Sequence, residues 1–467
     1  MNPSSYPCPQ CQELATRVAA LEAELARLGE QLAAALKNSS TSSKPPSSDI
    51  VKPKSDAAAD GQPRRIGGQS GHPLQTRDQF AEEQITSFHR HQLDACPDCG
   101  GVVRPAGGEH VVQQVDVAQT PLTVEEHIQP RFWCDHCQKS CLAPLPSGIE
   151  RGGLVGPNLT TLIAFMKGSC HASFSTIRTF LRDVVGITIA RSTLANTIDK
   201  VSKALDGPYE ELLKLLPEAS VLNIDETGHK CNGKLWWTWC LRADLYTIFK
   251  IDAHRKADVL IDLLGEEFKG TIGCDYFSAY RKYMRVCGVE VQFCLAHLIR
   301  DVKYLTTLPD SATKAYGERL RLGLKGLFEV IHRRDQLSDT AFEKQLKSAR
   351  DAVLQAGLTA VPATKPATNM AKRFRQHGEA FFTFVTTPGV EPTNNLAEQA
   401  IRFVVIDRHI TQGTRSESGR RWSERIWTAI ATCASQGRSA YDYIRECVVN
   451  WFAGEPSPSL QPTEQPA

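Results

Sequence analysis

The sequence predicts an α/β core interrupted by an all-helical insertion. A coiled coil, a zinc ribbon-like unit and a helical domain of helix-turn-helix shape precede it. Three observations carry this expectation. Five strand-like segments crowd the stretch between Ser220 and His297, a charged helical run extends from about Thr306 to Phe384, and two C-x-x-C pairs lie upstream of both.

The totals bound the answer before any motif is read. A chain of 467 residues is long enough for two to four structural units with a packed core. Lys and Arg number 54 against 52 Asp and Glu, a net charge of +2. A nucleic-acid surface must therefore come from local clustering of charge. No apolar stretch is long enough to span a bilayer, and "MNPSSYPCPQCQEL" lacks the apolar region of a signal peptide. The expectation is a soluble, cytoplasmic protein with no membrane partner. The 15 cysteines include three C-x-x-C pairs, which in a reducing compartment read as metal ligands before disulfides.

Taken in order, residues 1–36 hold Cys8-Pro-Gln-Cys11 and a heptad seam. Leu14, Val18, Leu21, Leu25, Leu28 and Leu32 alternate spacings of four and three, the period of a short coiled coil. Gly29 weakens the seam. Residues 37–75 are rich in Ser, Pro and Lys with no apolar period, a flexible linker. Residues 76–148 form a compact unit around Cys96-Pro-Asp-Cys99 and Cys134-Asp-His-Cys137, with "EHVVQQVDV" and "LTVEEHIQPRFW" as strands between them. Two such turns present four thiolates, the tetrahedral donor set of one structural Zn²⁺. Cys8 and Cys11 are half a site, able to share a zinc across a parallel dimer or to stay unliganded.

Residues 149–216 are helical. Within them "SFSTIRTFLRDVVGITIARSTLANTIDKVSKAL" reads helix, turn at Gly186, helix. Such a second helix could enter a major groove with Arg191, Ser192, Thr193 and Asn196, or simply pack as a linker helix. Residues 217–305 carry the five strand segments, with the helix-like "KADVLIDLLGEEF" before the fourth. Residues 306–390 are the helical insertion, broken at "LTAVPATKPATN". Residues 391–453 return two helices around "ITQGTRSESGRR", and 454–467 read as a disordered tail.

The strands bear the chemistry. Asp225 ends the apolar run "SVLNI" and Asp275 ends "TIGC", so both are expected at the carboxyl ends of buried strands, where open sheets place their sites. Carboxylates converging there suit two divalent ions acting on a phosphodiester; either aspartate alone also suits a turn. Glu226 is expected to point to the other side of its strand. The tryptophans of "LWWTWC" read as a central core strand. Cys294 and His297 form C-x-x-H, half a metal site or a packed strand end. In "PTNNLAEQAIRFVV", Asn395 as N-cap puts Glu398 at N3, where it either completes a capping box or serves as a metal-binding carboxylate. Arg402 follows on the same helix. Arg415, Arg420 and Arg421 cluster in the next loop as phosphate contacts, weighed against a solvated loop.

"NIDETGHK", "GCDYFSAYRKY", "FCLAH" and "TNNLAEQAIRFVVIDR", in that order, resemble the DDE transposases of the insertion-sequence-66 group. The leucine seam, "GGQSGHP", "CPDCGG" and "CDHC" extend the resemblance over nearly the whole chain. It implies a ribonuclease H-like fold, with a five-stranded mixed sheet and a helical insertion before the last acid. It implies Asp225, Asp275 and Glu398 as catalytic acids holding two Mg²⁺ or Mn²⁺ ions. The implied partners are the terminal repeats of a mobile element, target DNA, further copies of the chain and accessory proteins of the same element. The implied setting is the bacterial cytoplasm, at the nucleoid when DNA is bound. Two departures stand out: "HLIRD" replaces a basic pair after the C-x-x-H, and Gln399 replaces an arginine after the glutamate. A DNA-binding regulator with an inactive nuclease fold and a ribonuclease H-type nuclease are the alternative readings.

Overall fold

The computed structural model describes residues 9–36, 81–85, 122–129, 131–136, 138–142 and 145–462. The chain divides into two units, Lys54–Glu125 and the remainder. In the first, the described residues are a 3-10 turn at Glu82–Gln84 with its flanks and residues 122–125. The expected linker at 37–75 lies outside the described residues, as do Cys8, Cys96, Cys99 and Cys137.

The larger unit opens with helix α1 (Pro9–Ala35). Its heptad seam faces solvent: the six seam residues are between 49% and 70% exposed, from Val18 to Leu25. Ala33 packs against the core. Strands β1 (Arg131–Cys134) and β2 (Lys139–Leu142) pair antiparallel with Cys134 opposite Lys139, which puts Cys134 next to the hairpin tip. The strand expected from Leu122 is shorter than its pattern suggested, because residues 122–129 have no regular structure.

Helices α2 (Ser147–Gly152), α3 (Pro157–Gly168), α4 (Phe174–Phe180), α5 (Arg191–Ala204) and α6 (Asp206–Leu215) follow. Ser173 caps α4 by accepting the Thr176 amide, and a π turn at Leu181–Val185 closes on Gly186 at φ 83°. The helix-turn-helix shape is therefore present, with Arg191, Ser192 and Asn196 exposed at the start of α5.

The sheet comprises β3 (Val221–Cys231), β4 (Lys234–Arg242), β5 (Thr247–Asp252), β6 (Thr271–Cys274) and β7 (Glu290–Phe293). Helices α7 (Ala257–Leu264) and α8 (Ser278–Cys287) connect the last three. Strand order is β5-β4-β3-β6-β7; β3, β4 and β5 form an antiparallel meander, and β6 and β7 run parallel to β3. Asn232 and Gly233, both at positive φ, make the two-residue turn from β3 to β4. Trp239 is wholly buried on β4, as a core strand requires, while Trp236 and Trp237 are half-buried beneath the guanidinium groups of Arg420 and Arg255.

After the sheet come α9 (Leu295–Thr306), then the insertion α10 (Ser311–His332), α11 (Asp339–Leu358) and α12 (Lys365–His377). The chain returns through α13 (Asn395–Thr411), α14 (Glu417–Ser435) and α15 (Ala440–Ala453). Sequence patterning ran the last two together. Gly437 at φ 64° breaks them, and Ser439 starts α15 by accepting the Asp442 amide. Helix α15 packs on α2, α3 and α5, and α14 on β5, α5 and α6, so residues 149–216 share one apolar core with the sheet. The separate helical domain expected there is part of the main body.

Helix α14 also closes the sheet's outer edge. The amides of Thr247, Phe249 and Ile251 on β5 donate to Thr432 Oγ1 (3.1 Å), Thr428 Oγ1 (3.1 Å) and Glu424 Oε1 (2.8 Å). Alternate strand residues lie about 6.8 Å apart and every fourth helical residue about 6 Å apart, so the two repeats match over this length. Each bond satisfies a buried amide that would otherwise have no partner.

The tail differs from its expectation. Tyr443 Oη donates to Pro458 O, Ser457 Oγ to Ala204 O and Gln436 Nε2 to Leu460 O, and Leu460 is buried. The polar composition concealed this one apolar anchor. Among the described residues, no helix is long and apolar enough to cross a membrane.

The far end of β3 is clamped by the α13–α14 loop. Thr414 exchanges bonds with Lys230 O and the Asn232 amide, and Arg408 donates to Thr227 Oγ1 and Gly228 O. Gly413 is required at this approach: at φ 91°, a Cβ would sit 2.2 Å from Lys230 O. His229, buried here, bonds Thr414 Oγ1 through Nε2 (2.9 Å). Burial first, then Arg408 and Arg420, push its pKa down to about 4 from 6.5. The unfolded chain then binds a proton through a range where the folded chain does not. Stability from this group is present above about pH 6.5 and lost as pH falls to about 4, up to ~3 kcal/mol. Urea midpoints measured across that range should fall more steeply for wild type than for His229→Asn; parallel slopes would show that His229 does not set them.

Candidate active site

Asp225, Asp275 and Glu398 come together although three different elements carry them. Asp275 directly follows Cys274, the last residue of β6, and its Oδ1 accepts the Phe277 amide at 2.9 Å. Asp225 does not end its strand as its sequence suggested; β3 continues to Cys231 because its second half pairs with β4. Its pairing to β6 stops at Asn223, so Asp225 still lies just past the end of the parallel ladder. Its Oδ1 accepts the Glu226 amide at 2.9 Å.

Glu398 is placed by "PTNN", and not through a capping box. The N-cap is Asn394, one residue earlier than expected, and it makes no side-chain cap bond. Its Nδ2 donates instead to Ile224 O (2.8 Å), beside Asp225, and its amide donates to Cys294 Sγ (3.1 Å). Pro392 O accepts the Leu295 amide at 2.9 Å. These bonds tie the start of α13 to β3 and α9 together. Glu398, at N4, then faces α9: Oε1 is 3.5 Å from His297 Nδ1 and Oε2 is 3.6 Å from Arg300 Nη2.

The electrostatics follow from this convergence. Burial first, then the charges of Glu226, Asp275 and Glu398, hold the Asp225 carboxyl well above the ordinary carboxylate range. Glu226 is buried and engaged: Arg255 binds its Oε1 (2.5 Å from Nη2) and the Tyr280 hydroxyl donates to Oε2. Both of its oxygens are therefore engaged within the chain. The buried atoms Glu398 Oε1, His297 Nδ1 and Asn394 Oδ1 make no hydrogen bond. Crowded carboxylates with unsatisfied oxygens fit a hard divalent cation, which would reverse their repulsion.

A cleft of about 200 Å³ opens beside the acids, lined in part by Asp275, His297, Asp301 and Arg373. The insertion braces it. Tyr276 stacks on Phe381, bonds His377 Nδ1 at 2.8 Å and lies beneath Arg373, which pairs with Asp301 at 2.6 Å. No local sequence pattern marks Arg255, Tyr280 or Arg300. The only signal for Asn394 was the doubled asparagine, which reads equally well as a cap.

The basic candidates separate. Arg402 and Arg415 are exposed. Arg420 lies over Trp236 and Arg421 pairs with Asp206 at 3.1 Å, so both are partly occupied within the chain. Of the four cysteines expected to bind zinc, Cys134 is on β1, and the other three lie outside the described residues.

Comparison with known proteins gives this arrangement its family. Residues 152–421, more than half of the chain, match the model of the transposase IS66 family. Residues 94–138 match the zinc-finger binding domain of IS66 transposases, a span that contains all four expected zinc ligands. The chain belongs to the IS66 transposase family. It is also similar to an uncharacterized protein, y4hP, of Sinorhizobium fredii, with 23% identity over 378 residues, covering 72% of this chain and 67% of that protein.

Proposed function

We propose that this chain binds the terminal inverted repeats of its mobile element and catalyses metal-dependent DNA strand cleavage followed by strand transfer. The observation that carries the reading is the convergence of Asp225, Asp275 and Glu398, with Asp225 held above the carboxylate range by its neighbours. The strand order, with one parallel and one antiparallel half, supports a ribonuclease H-like core. The three acids would hold two Mg²⁺ or Mn²⁺ ions, which when bound activate a water or 3′-hydroxyl and stabilise the departing oxygen.

The chain's own residues supply position. The Phe277 and Glu226 amides orient Asp275 and Asp225. Asn394 fixes the start of α13, and Arg300 faces the second oxygen of Glu398. Arg402, Arg415 and the start of α5, with Arg191, offer exposed donors for phosphates. The uncovered seam of α1 supports self-association, and the zinc-finger unit supports a grip on the repeats. Accessory proteins and a nucleoid location belong to the same reading.

Incubating the purified chain with duplexes of element-end and scrambled sequence, with Mg²⁺ or Mn²⁺, tests it. Cleavage confined to the end sequence, and lost in Asp275→Ala, is the expected result. Binding without cleavage would make the chain a regulator, and equal cleavage of both duplexes a general nuclease.

A further inference from the structure

We infer that Cys294, His297 and Glu398 form a site for a thiophilic divalent cation, Zn²⁺ in the cell, with three protein ligands and one open position. One ligand atom from each residue lies within 4.8 Å of the others. Cys294 is the N-cap of α9, and its sulfur accepts the Asn394 amide at 3.1 Å. An amide donated to the sulfur is the kind of outer bond that orients a metal-bound cysteine. His297 Nδ1 and Glu398 Oε1, 3.5 Å apart, are both buried and neither makes a hydrogen bond. A cation between them satisfies both atoms at once. Tetrahedral zinc spaces its ligands about 3.4–3.7 Å apart, which the site reaches by small side-chain rotations.

The donor set selects the metal. Mg²⁺ takes oxygen ligands, whereas one thiolate, one imidazole and one carboxylate suit Zn²⁺. As the metal–sulfur bond forms, the Cys294 thiol gives up its proton to solvent. The site shares Glu398 with the proposed catalytic centre but needs none of that centre's chemistry. A thiophilic ion bound here holds Glu398 against α9 and withdraws it from Asp225 and Asp275, so the site acts as an off state set by zinc.

Titrating the reduced, metal-stripped full chain with Co²⁺ tests the inference by binding alone, whatever the outcome of cleavage assays. The zinc-finger cysteines contribute equally to wild type, Cys294→Ser and His297→Asn, so the differences report this site. Wild type should bind one more equivalent than either variant, and the wild-type minus Cys294→Ser spectrum should show a thiolate-to-cobalt charge-transfer band. His297→Asn keeps the cysteine and covers a Cys294→Ser chain that fails to fold. Equal Co²⁺ stoichiometry and superimposable spectra for wild type and the folded variants would overturn the site.

Discussion

Asp225→Asn should lower the rate of cleavage at an element end by about 10³-fold, equivalent to ~4 kcal/mol of transition-state stabilisation. The same change should raise the melting temperature in the absence of added Mg²⁺ or Mn²⁺. In wild type the carboxyl is buried beside Glu226, Asp275 and Glu398, and its folded-state pKa lies above the unfolded one. A carboxyl whose folded-state pKa is raised loses stability for the fold as pH climbs from the unfolded value toward the folded one. Asparagine removes the titrating group, and that loss with it, at nearly the same volume. Addition of Mn²⁺ should raise the melting temperature of wild type through mass action on the native state, and much less that of the variant. Lost cleavage with an unchanged Mn²⁺ response would move Asp225 from ligand to some other role.

The largest stability effect is expected at the outer edge of the sheet. Glu424→Leu strips the Ile251 amide of its acceptor and leaves Arg425, only 5% exposed as a side chain, without one of its anions. Unsatisfied buried amides cost about 1–3 kcal/mol and a broken buried ion pair about 3–5 kcal/mol, so a loss of ~3–5 kcal/mol is expected. Glu424→Gln keeps an oxygen on the amide and should cost less than half of that. Chemical denaturation of the three proteins separates hydrogen bond from charge: equal losses for Gln and Leu would assign the whole effect to the ion pair.

Much of the sheet was legible because each strand segment sits between turn residues and carries β-branched or aromatic side chains. Asp275 was legible for the same reason, standing where the short apolar run "TIGC" stops. Asp225 misled, since "SVLNI" ends where burial on both faces ends, while the strand itself continues on pairing with β4. The bonds that bring Glu398 into place were not legible at all. They run from Asn394 to Ile224 and Cys294, residues far away in sequence, and no local pattern reports a side chain spent at such range. The docked tail fails similarly: Leu460 is one apolar residue in a polar stretch, and only its tertiary pocket gives it weight.

The bond from the Leu295 amide to Pro392 O has a consequence for how this architecture can change over time. It joins the point where the chain leaves the sheet to the point where it comes back. Everything between is a closed excursion whose ends are stapled, and α12 near its return braces the Asp275 loop through Tyr276 and His377. The turn between α10 and α11, exposed from His332 to Gln336, carries neither duty. Lengthening or replacing that turn alters the reach of the molecule while the three acids stay in register, because loop length adds little entropy once both ends are fixed. Size and chemistry are thus separable inheritances in this chain.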